Sequence, residues 1–197
     1  MLGGKQELFE TRPEAPLRTK ARTVRPVITK EQRHIVQRKY HILIPIALVT
    51  LLVDQITKHF VTTMIPPATG FEVVSGFFNL VHARNPGAAF GILADLGPTV
   101  RALFFGFISL AAAGVIFWVI AAGEKVEVFL LLGCSFFLGG VLGNSVDRMR
   151  FGEVIDFLDV YLYDWHWPAF NVADSALCVG TACFFIHYLF RAESRAE

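Results

Sequence analysis

Charge is what this 197-residue chain has least of: Asp, Glu, Lys and Arg make up 18% of it, where a soluble domain carries roughly 25%. With 54% hydrophobic residues and a mean hydropathy of +0.50, a soluble globular domain is excluded in favour of an integral membrane protein. Cysteine is equally sparse. Cys134, Cys178 and Cys183 each fall in an apolar run with no Cys-x-x-Cys spacing, which excludes a disulfide framework and reads all three as small core residues. The six histidines are scattered and no His-Glu-x-x-His motif occurs, so no catalytic metal is expected and no other cofactor is called for. Residues 1–39 lack an apolar stretch, so they are not read as a cleavable signal peptide. No internal repeat or low-complexity tract is evident, and no feature calls for nucleic acid as a partner.

What charge there is lies at one end. Residues 1–39 hold ten Lys or Arg against four Glu, a basic and partly disordered tail in which Thr29-Lys30-Glu31-Gln32 fits a capping box opening a helix. A helix needs about 20 mostly apolar residues to cross a bilayer. Four segments qualify, at about 41–64, 99–122, 128–146 and 171–190, leaving 191–197 as a short second tail and 40–190 as one membrane domain. The basic residues outside the spans concentrate on the side of the two tails, so the positive-inside rule puts both termini in the cytoplasm. Asp54, Asp156 and Asp174 then all fall toward the outer face. Between the first two spans, Phe71–Ala83 reads as two short strands broken at Ser75-Gly76. Asp147–Phe170, with Tyr161, Tyr163, Trp165 and Trp167, reads as an aromatic interfacial loop, with Asp159 and Asp164 solvated.

The polar residues fall into five groups. Asp54-Gln55-Ile56-Thr57-Lys58 sets Asp54 and Lys58 four apart on one helix face, as a local ion pair or as a substrate contact. Asn85-Pro86-Gly87-Ala88-Ala89-Phe90 is a tight turn whose small residues also allow a ligand close to the backbone. Gly139 and Gly143 form a small-xxx-small step suited to helix contact. Asn144, Asp147 and Arg148 follow it, as an interfacial Asp–Arg pair or with Arg148 orienting carboxylates. Asp156, in Val154-Ile155-Asp156-Phe157, and Asp174, in Pro168-Ala169-Phe170-Asn171-Val172-Ala173-Asp174-Ser175, stand where the last two spans meet. Each alone could be a solvated or helix-capping residue. Two carboxylates in one cleft can instead share a proton and work as an acid–base pair on water.

Taken together and in this order, the five motifs resemble the lipoprotein signal peptidases, or signal peptidase II, over about Leu43 to Phe190. The resemblance implies an all-α membrane protein of four spans with a small extracytoplasmic β-element. It implies an aspartic endopeptidase of the bacterial inner membrane, cutting a diacylglyceryl-modified prolipoprotein before its lipidated cysteine. It maps the catalytic pair onto Asp156 and Asp174. Asp54, Lys58, Asn85, Gly87, Asn144, Asp147, Arg148 and Asn171 become the supporting and substrate-contacting shell. The expected partners are the lipid-modified substrate, membrane lipids and globomycin-type inhibitors, with the enzyme acting as a monomer. The chain departs from the family in its long basic tail and in Pro86, where threonine is common. Proline fixes φ and removes an N–H at that position.

A small transporter relaying protons through membrane carboxylates is the main rival, yet the second and third spans offer almost no polar path. A non-enzymatic scaffold is the other. A presenilin-like protease would carry Tyr-Asp and Gly-x-Gly-Asp motifs within its spans.

Overall fold

The structure, a computed structural model, describes residues 30–87, 93, 95–123 and 126–193. The tail residues 1–29, Thr29 of the capping box among them, and Ala88, Ala89 and Phe90 of the turn motif lie outside the described residues. In chain order the elements are α1 (Lys30–Met64), β1 (Gly70–Val74), β2 (Phe78–Asn85), α2 (Pro98–Ala122), α3 (Val128–Phe151), β3 (Val154–Leu162), β4 (Trp165–His166) and α4 (Val172–Glu193). Each of the four helices contains a stretch long and apolar enough to cross a membrane.

α3 is the central helix, packed against α1, α2 and α4. Lipid tails are as apolar as a leucine face, so close fit rather than water exclusion must hold such helices together. The glycines of α3 supply it. A Cβ on Gly139 would stand 2.6 Å from Thr50 Cβ and one on Gly140 2.5 Å from the Ala173 carbonyl oxygen, while one on Gly143 would meet Asp54 Oδ2 at 2.6 Å. The small-residue step read from the sequence is therefore a double contact, with α1 on one side and α4 on the other. Large side chains such as Leu103, Phe107, Leu110 and Trp118 of α2 point outward, as lipid-facing residues must.

Along α1, Leu43, Ala47, Thr50, Asp54, Lys58 and Val61 form one buried stripe at helical spacing, continued by Ile65 just past its end. Its two ends are apolar. Leu43 and Ala47 join Ile116, Ile120, Leu131, Cys134 and Leu138 near the tail end, whereas Val61 and Ile65 pack on Ile155 and Phe157 beneath the sheet. Asp54 and Lys58 lie between, in a polar layer. Lys39, almost fully buried, donates to the Gly123 carbonyl and closes the C-terminus of α2 at the tail end.

The β-element is larger than the two strands expected. The four strands form an antiparallel sheet in the order β1-β2-β3-β4. Two expectations for residues 147–170 are corrected. α3 runs on to Phe151, so Asp147 and Arg148 are helical, and it stops at Gly152, whose φ of 75° suits glycine and whose N–H returns to the Arg148 carbonyl. The segment read as an aromatic loop is then mostly β3 and β4. Asp159 is not solvated: it is 8% exposed, accepting from Asn79 Nδ2 at 2.8 Å and facing His166 Nδ1 at 2.9 Å. Asp164 is exposed, as expected.

Gly143→Ala should therefore separate α3 from α1 and destabilise the protein by about 1–3 kcal/mol, seen as a lower unfolding temperature in detergent. Gly106→Ala on α2, where a Cβ meets nothing within 4 Å, should be neutral or slightly stabilising.

Candidate active site

The site is built on the start of α4. Asn171 is its N-cap: Oδ1 accepts the Asp174 N–H at 2.9 Å, and Asp174 Oδ2 accepts the Asn171 N–H at 3.2 Å. This reciprocal pair is a capping box with asparagine and aspartate in the two roles, so the capping alternative for Asp174 is realised. It does not exhaust the residue. Oδ1 of Asp174 accepts from Asn144 Nδ2 at 2.7 Å, and Asp174 lines a cavity together with Asp156.

Asp156 comes from β3. Its two oxygens accept from Asn171 Nδ2 at 2.7 Å and from Asn85 Nδ2 at 3.1 Å. The Asn171 amide thus divides its work, with its oxygen starting α4 and its nitrogen holding the other aspartate. That nitrogen also lies 3.2 Å from Asn144 Oδ1. Asn85 is likewise fixed by its own turn, because Oδ1 accepts the Gly87 N–H at 3.0 Å. Phe170 closes the arrangement, exchanging backbone hydrogen bonds with Leu158 and accepting from the Phe157 N–H, which brings Asn171 beside Asp156. Burial, followed by the nearby Asp174 carboxylate, pushes the Asp156 carboxyl up to about 6.

Behind the pair stands the polar layer. Lys58 Nζ lies 2.9 Å from Asp54 Oδ2 and 2.8 Å from Asp147 Oδ2, with every side chain at most 3% exposed. It also donates to Asn144 Oδ1 at 3.1 Å. Asp54 Oδ1 accepts the Ala173 N–H at 2.8 Å, taking up a donor that the start of α4 leaves free. Gln55, quoted in the first motif but not counted as a site residue, donates to Asp147 Oδ1 at 2.9 Å. Asp147 is paired with Lys58, not with its neighbour Arg148. Among the described residues Arg148 forms no ion pair with Asp156 or Asp174; its Nη2 donates to the Gly87 carbonyl at 3.0 Å and its guanidinium lies 3.9 Å from the Phe105 ring centre. It thereby ties the Asn85 turn to α3.

The cavity in front of the pair has a volume of about 590 Å³. Asn85, Asn144, Arg148, Asp156 and Asp174 form its polar part, and Val154, Trp167, Pro168, Phe170 and Leu177 its apolar part. Cys178 lies in this wall and is exposed, so the reading of all three cysteines as core residues is corrected for it. The apolar wall escaped notice because its residues are unremarkable in a chain this hydrophobic. Of the expected shell, Asp54, Lys58, Asn85, Gly87, Asn144, Asp147, Arg148 and Asn171 are joined to one another or to the pair by the contacts above. Asp54, Lys58 and Asp147 lie behind the cavity wall and do not line it.

Four helices apolar enough to cross a membrane, with two carboxylates opening onto one largely apolar cavity, define a membrane protein with a candidate acid–base site. A family model described as signal peptidase (SPase) II matches residues 46–190. A lipoprotein signal peptidase of Desulforapulum autotrophicum is 43% identical over 145 residues, 74% of this chain and 90% of that one. Its counterpart in Syntrophus aciditrophicus is 46% identical over 130 residues, 66% and 81% of the two chains. A solved structure described as a bacterial membrane enzyme, obtained by the in meso method at 2.3 Å, aligns with a TM-score of 0.69 and 33% identity, covering 77% of this chain and 89% of that one. The chain belongs to the signal peptidase II family and is an aspartic endopeptidase of the membrane.

Asn171→Ser should separate the two duties of the side chain. Serine still caps α4, so the loss of stability should be confined to the about 1–3 kcal/mol of a buried acceptor left without its donor, while losing the hydrogen bond to Asp156 should lower kcat at least tenfold. Thermal unfolding and peptidase kinetics on the same preparation check both.

Proposed function

We propose that this protein removes the signal peptide from diacylglyceryl-modified prolipoproteins, cutting immediately before the lipidated cysteine. Asp156 and Asp174 act as the dyad. The observation that carries this reading is that the two aspartates share Asn171 as a common support and open onto one cavity with a polar and an apolar part. A scissile amide next to a lipidated residue needs both kinds of wall.

Asp156 keeps the proton, because burial and the charge of Asp174 both favour its neutral form. Asp174 takes a proton from a water molecule whose oxygen attacks the scissile carbonyl carbon. Asp156 donates a hydrogen bond to the carbonyl oxygen as negative charge develops there. The tetrahedral intermediate then collapses, the C–N bond breaks, and the leaving nitrogen receives a proton from the dyad. Asn85, Asn144 and Asn171 hold the carboxylates apart and oriented. Arg148 holds the Asn85 turn, and Asp54, Lys58 and Asp147 fix the helices beneath. The step requires no covalent intermediate. Globomycin-type inhibitors compete for the same cavity.

In this reading the basic tail lies in the cytoplasm and the sheet end of the bundle faces outward from the bacterial inner membrane. The signal peptide then arrives from the bilayer and the lipidated product leaves at the outer leaflet. A single chain contains every residue of the proposed site.

Purified protein in nanodiscs should cleave a diacylglyceryl-modified prolipoprotein with a mass loss equal to the signal peptide, and Asp156→Asn and Asp174→Asn should each reduce the rate at least ~10³-fold while folding normally. Cleavage persisting in either folded variant removes that residue from the chemistry. The pH dependence has a definite sign. As pH rises through about 6, Asp156 loses the proton it must supply, so kcat/KM, which reports the free enzyme, should fall on the alkaline side. Bound substrate buries the pair further, so the same limb in kcat should lie at higher pH.

A further inference from the structure

α2 is the least buried of the four spans and contributes no residue to the lining of the reaction cavity. Most of its large side chains point outward, and Leu103 and Phe107 are 71% and 70% exposed. Phe105, between them, is half-buried. Its ring is turned onto α3, where the Arg148 guanidinium lies 3.9 Å from its centre. Phe104 packs edge-on against the same ring, with centres 5.3 Å apart and planes at 81°. About one turn away, Ser145 Oγ of α3 donates to Ser109 Oγ of α2 at 2.8 Å. Phe105–Arg148 and Ser109–Ser145 are thus successive rungs of one antiparallel helix pair. A hydroxyl pair between apolar helices fixes their register, and this register sets Phe105 opposite Arg148.

Packing against lipid asks only for an apolar residue at position 105; the guanidinium asks for a ring. Arg148 lines the reaction cavity with Asp156 and Asp174, and its Nε is buried with no hydrogen-bond partner among the described residues. One hydrogen bond, from Nη2 to the Gly87 carbonyl at 3.0 Å, and the face of Phe105 therefore set the plane of the guanidinium. The negative face of an aromatic ring attracts a cation. It does so without placing a further carboxylate beside the dyad. From Arg148 the contacts continue unbroken. Gly87 is buried, its carbonyl taken by Arg148 and its N–H donated to Asn85 Oδ1 at 3.0 Å. Asn85 Nδ2 then donates to Asp156 Oδ2 at 3.1 Å.

We propose that Phe105 is a positioning residue for the hydrolysis: its ring holds the Arg148 guanidinium flat, Arg148 holds the Gly87 carbonyl, and the turn so fixed aims the Asn85 amide at Asp156. The inference rests on the reading of Asp156 and Asp174 as the dyad. Phe105 itself touches neither carboxylate and lies outside the cavity lining. Without the ring the guanidinium is free to turn, Gly87 is released on one side, and Asn85 loses its aim. The Asn85 hydrogen bond favours the ionised form of Asp156. Its loss therefore leaves Asp156 protonated to higher pH while orienting it less well. A helix with no residue in the cavity wall would in this way set the geometry inside it.

The test is peptidase kinetics in nanodiscs, as a function of pH, on Phe105→Leu, Phe105→Tyr and Phe107→Leu. Phe105→Leu should lower kcat about tenfold and change KM by less than about twofold, because the lost contact orients the dyad and binds no substrate. The alkaline limb of its kcat/KM profile, at about 6 in the wild type, should move to higher pH. Phe105→Tyr keeps the ring face and should restore both the rate and the limb. Phe107→Leu, on the lipid-facing side of the same helix, should behave as the wild type. In an Asn85→Ala background Phe105→Leu should cost nothing more, since the group it aims is gone. Should Phe105→Leu fold poorly, as seen in its unfolding temperature, Phe105→Met repeats the test with another apolar, ringless side chain. Unchanged kinetics in Phe105→Leu, a rate lowered equally at every pH with the limb in place, or an undiminished loss in the Asn85→Ala background overturns the inference and leaves the dyad standing. Cleavage by Asp156→Asn overturns the dyad itself, whatever the Phe105 variants do.

Discussion

One lysine ammonium between two carboxylates organises the rest of the structure. Lys58 meets Asp54 on its own helix and Asp147 on α3, out of contact with water, and its third contact is the Asn144 oxygen. A lone charge at that depth is costly, and removing one partner of a buried set costs about 3–5 kcal/mol. Any arrangement in which α1 and α3 drift apart therefore strips the lysine of its Asp147 partner. Because its partners face onward, the constraint passes outward: Asp54 to the start of α4, Asp147 to the Ile155 N–H that opens β3, and Asn144 to Asp174. Both proposed catalytic aspartates are thus positioned by elements that the same ion cluster anchors.

The glycines of α3 make this cluster possible, and the cluster makes the glycines necessary. Without a side chain at Gly143, the Asp54 carboxylate fits between α3 and Ala173. Any larger residue would push the carboxylate away from Lys58. In a bilayer, where association of apolar helices gains little from the surrounding lipid, close backbone approach and buried polar contacts hold a bundle together. Here the two occur at the same level of the membrane, one residue deep in each other's surface.

Much of the site was legible because its chemistry is expensive in an apolar chain. Asp54, Lys58, Asn144, Asp147, Asp156 and Asp174 stand out against long runs without charge, and their order carried the family resemblance. The helix-contact glycines and the strands around Phe71–Ala83 were legible through spacing and composition. What escaped has a common physical cause: sequence neighbours are poor guides to partners. Asp147 and Arg148 adjoin in the chain, yet adjacent helical residues point in different directions, so Asp147 finds Lys58 and Arg148 finds Gly87. The charges of Asp147, Arg148 and Arg150 made the third span look finished, although a buried lysine and a ring contact allow the helix to continue to Phe151. β3 looked like an interfacial belt because its aromatics outweigh its alternation. Its pairing with β2, which also buries Asp159 against Asn79, is a long-range event that no local pattern announces.

The strand pairing has one more consequence. β2 and β3 run in register from Phe78 opposite Val160 to Asn85 opposite Val154, with an irregularity between Leu80 and Ala83. Shifting a strand by one residue turns every side chain to the other face, so Asn85 and Asp156 meet only for one count of residues past that irregularity. The turn at Ser75–Gly76, on the far side of it, carries no such obligation. Length variation among natural relatives should accordingly collect at the hairpin tip and be purged between Ala83 and Asn85, where an insertion would turn Asn85 away from Asp156.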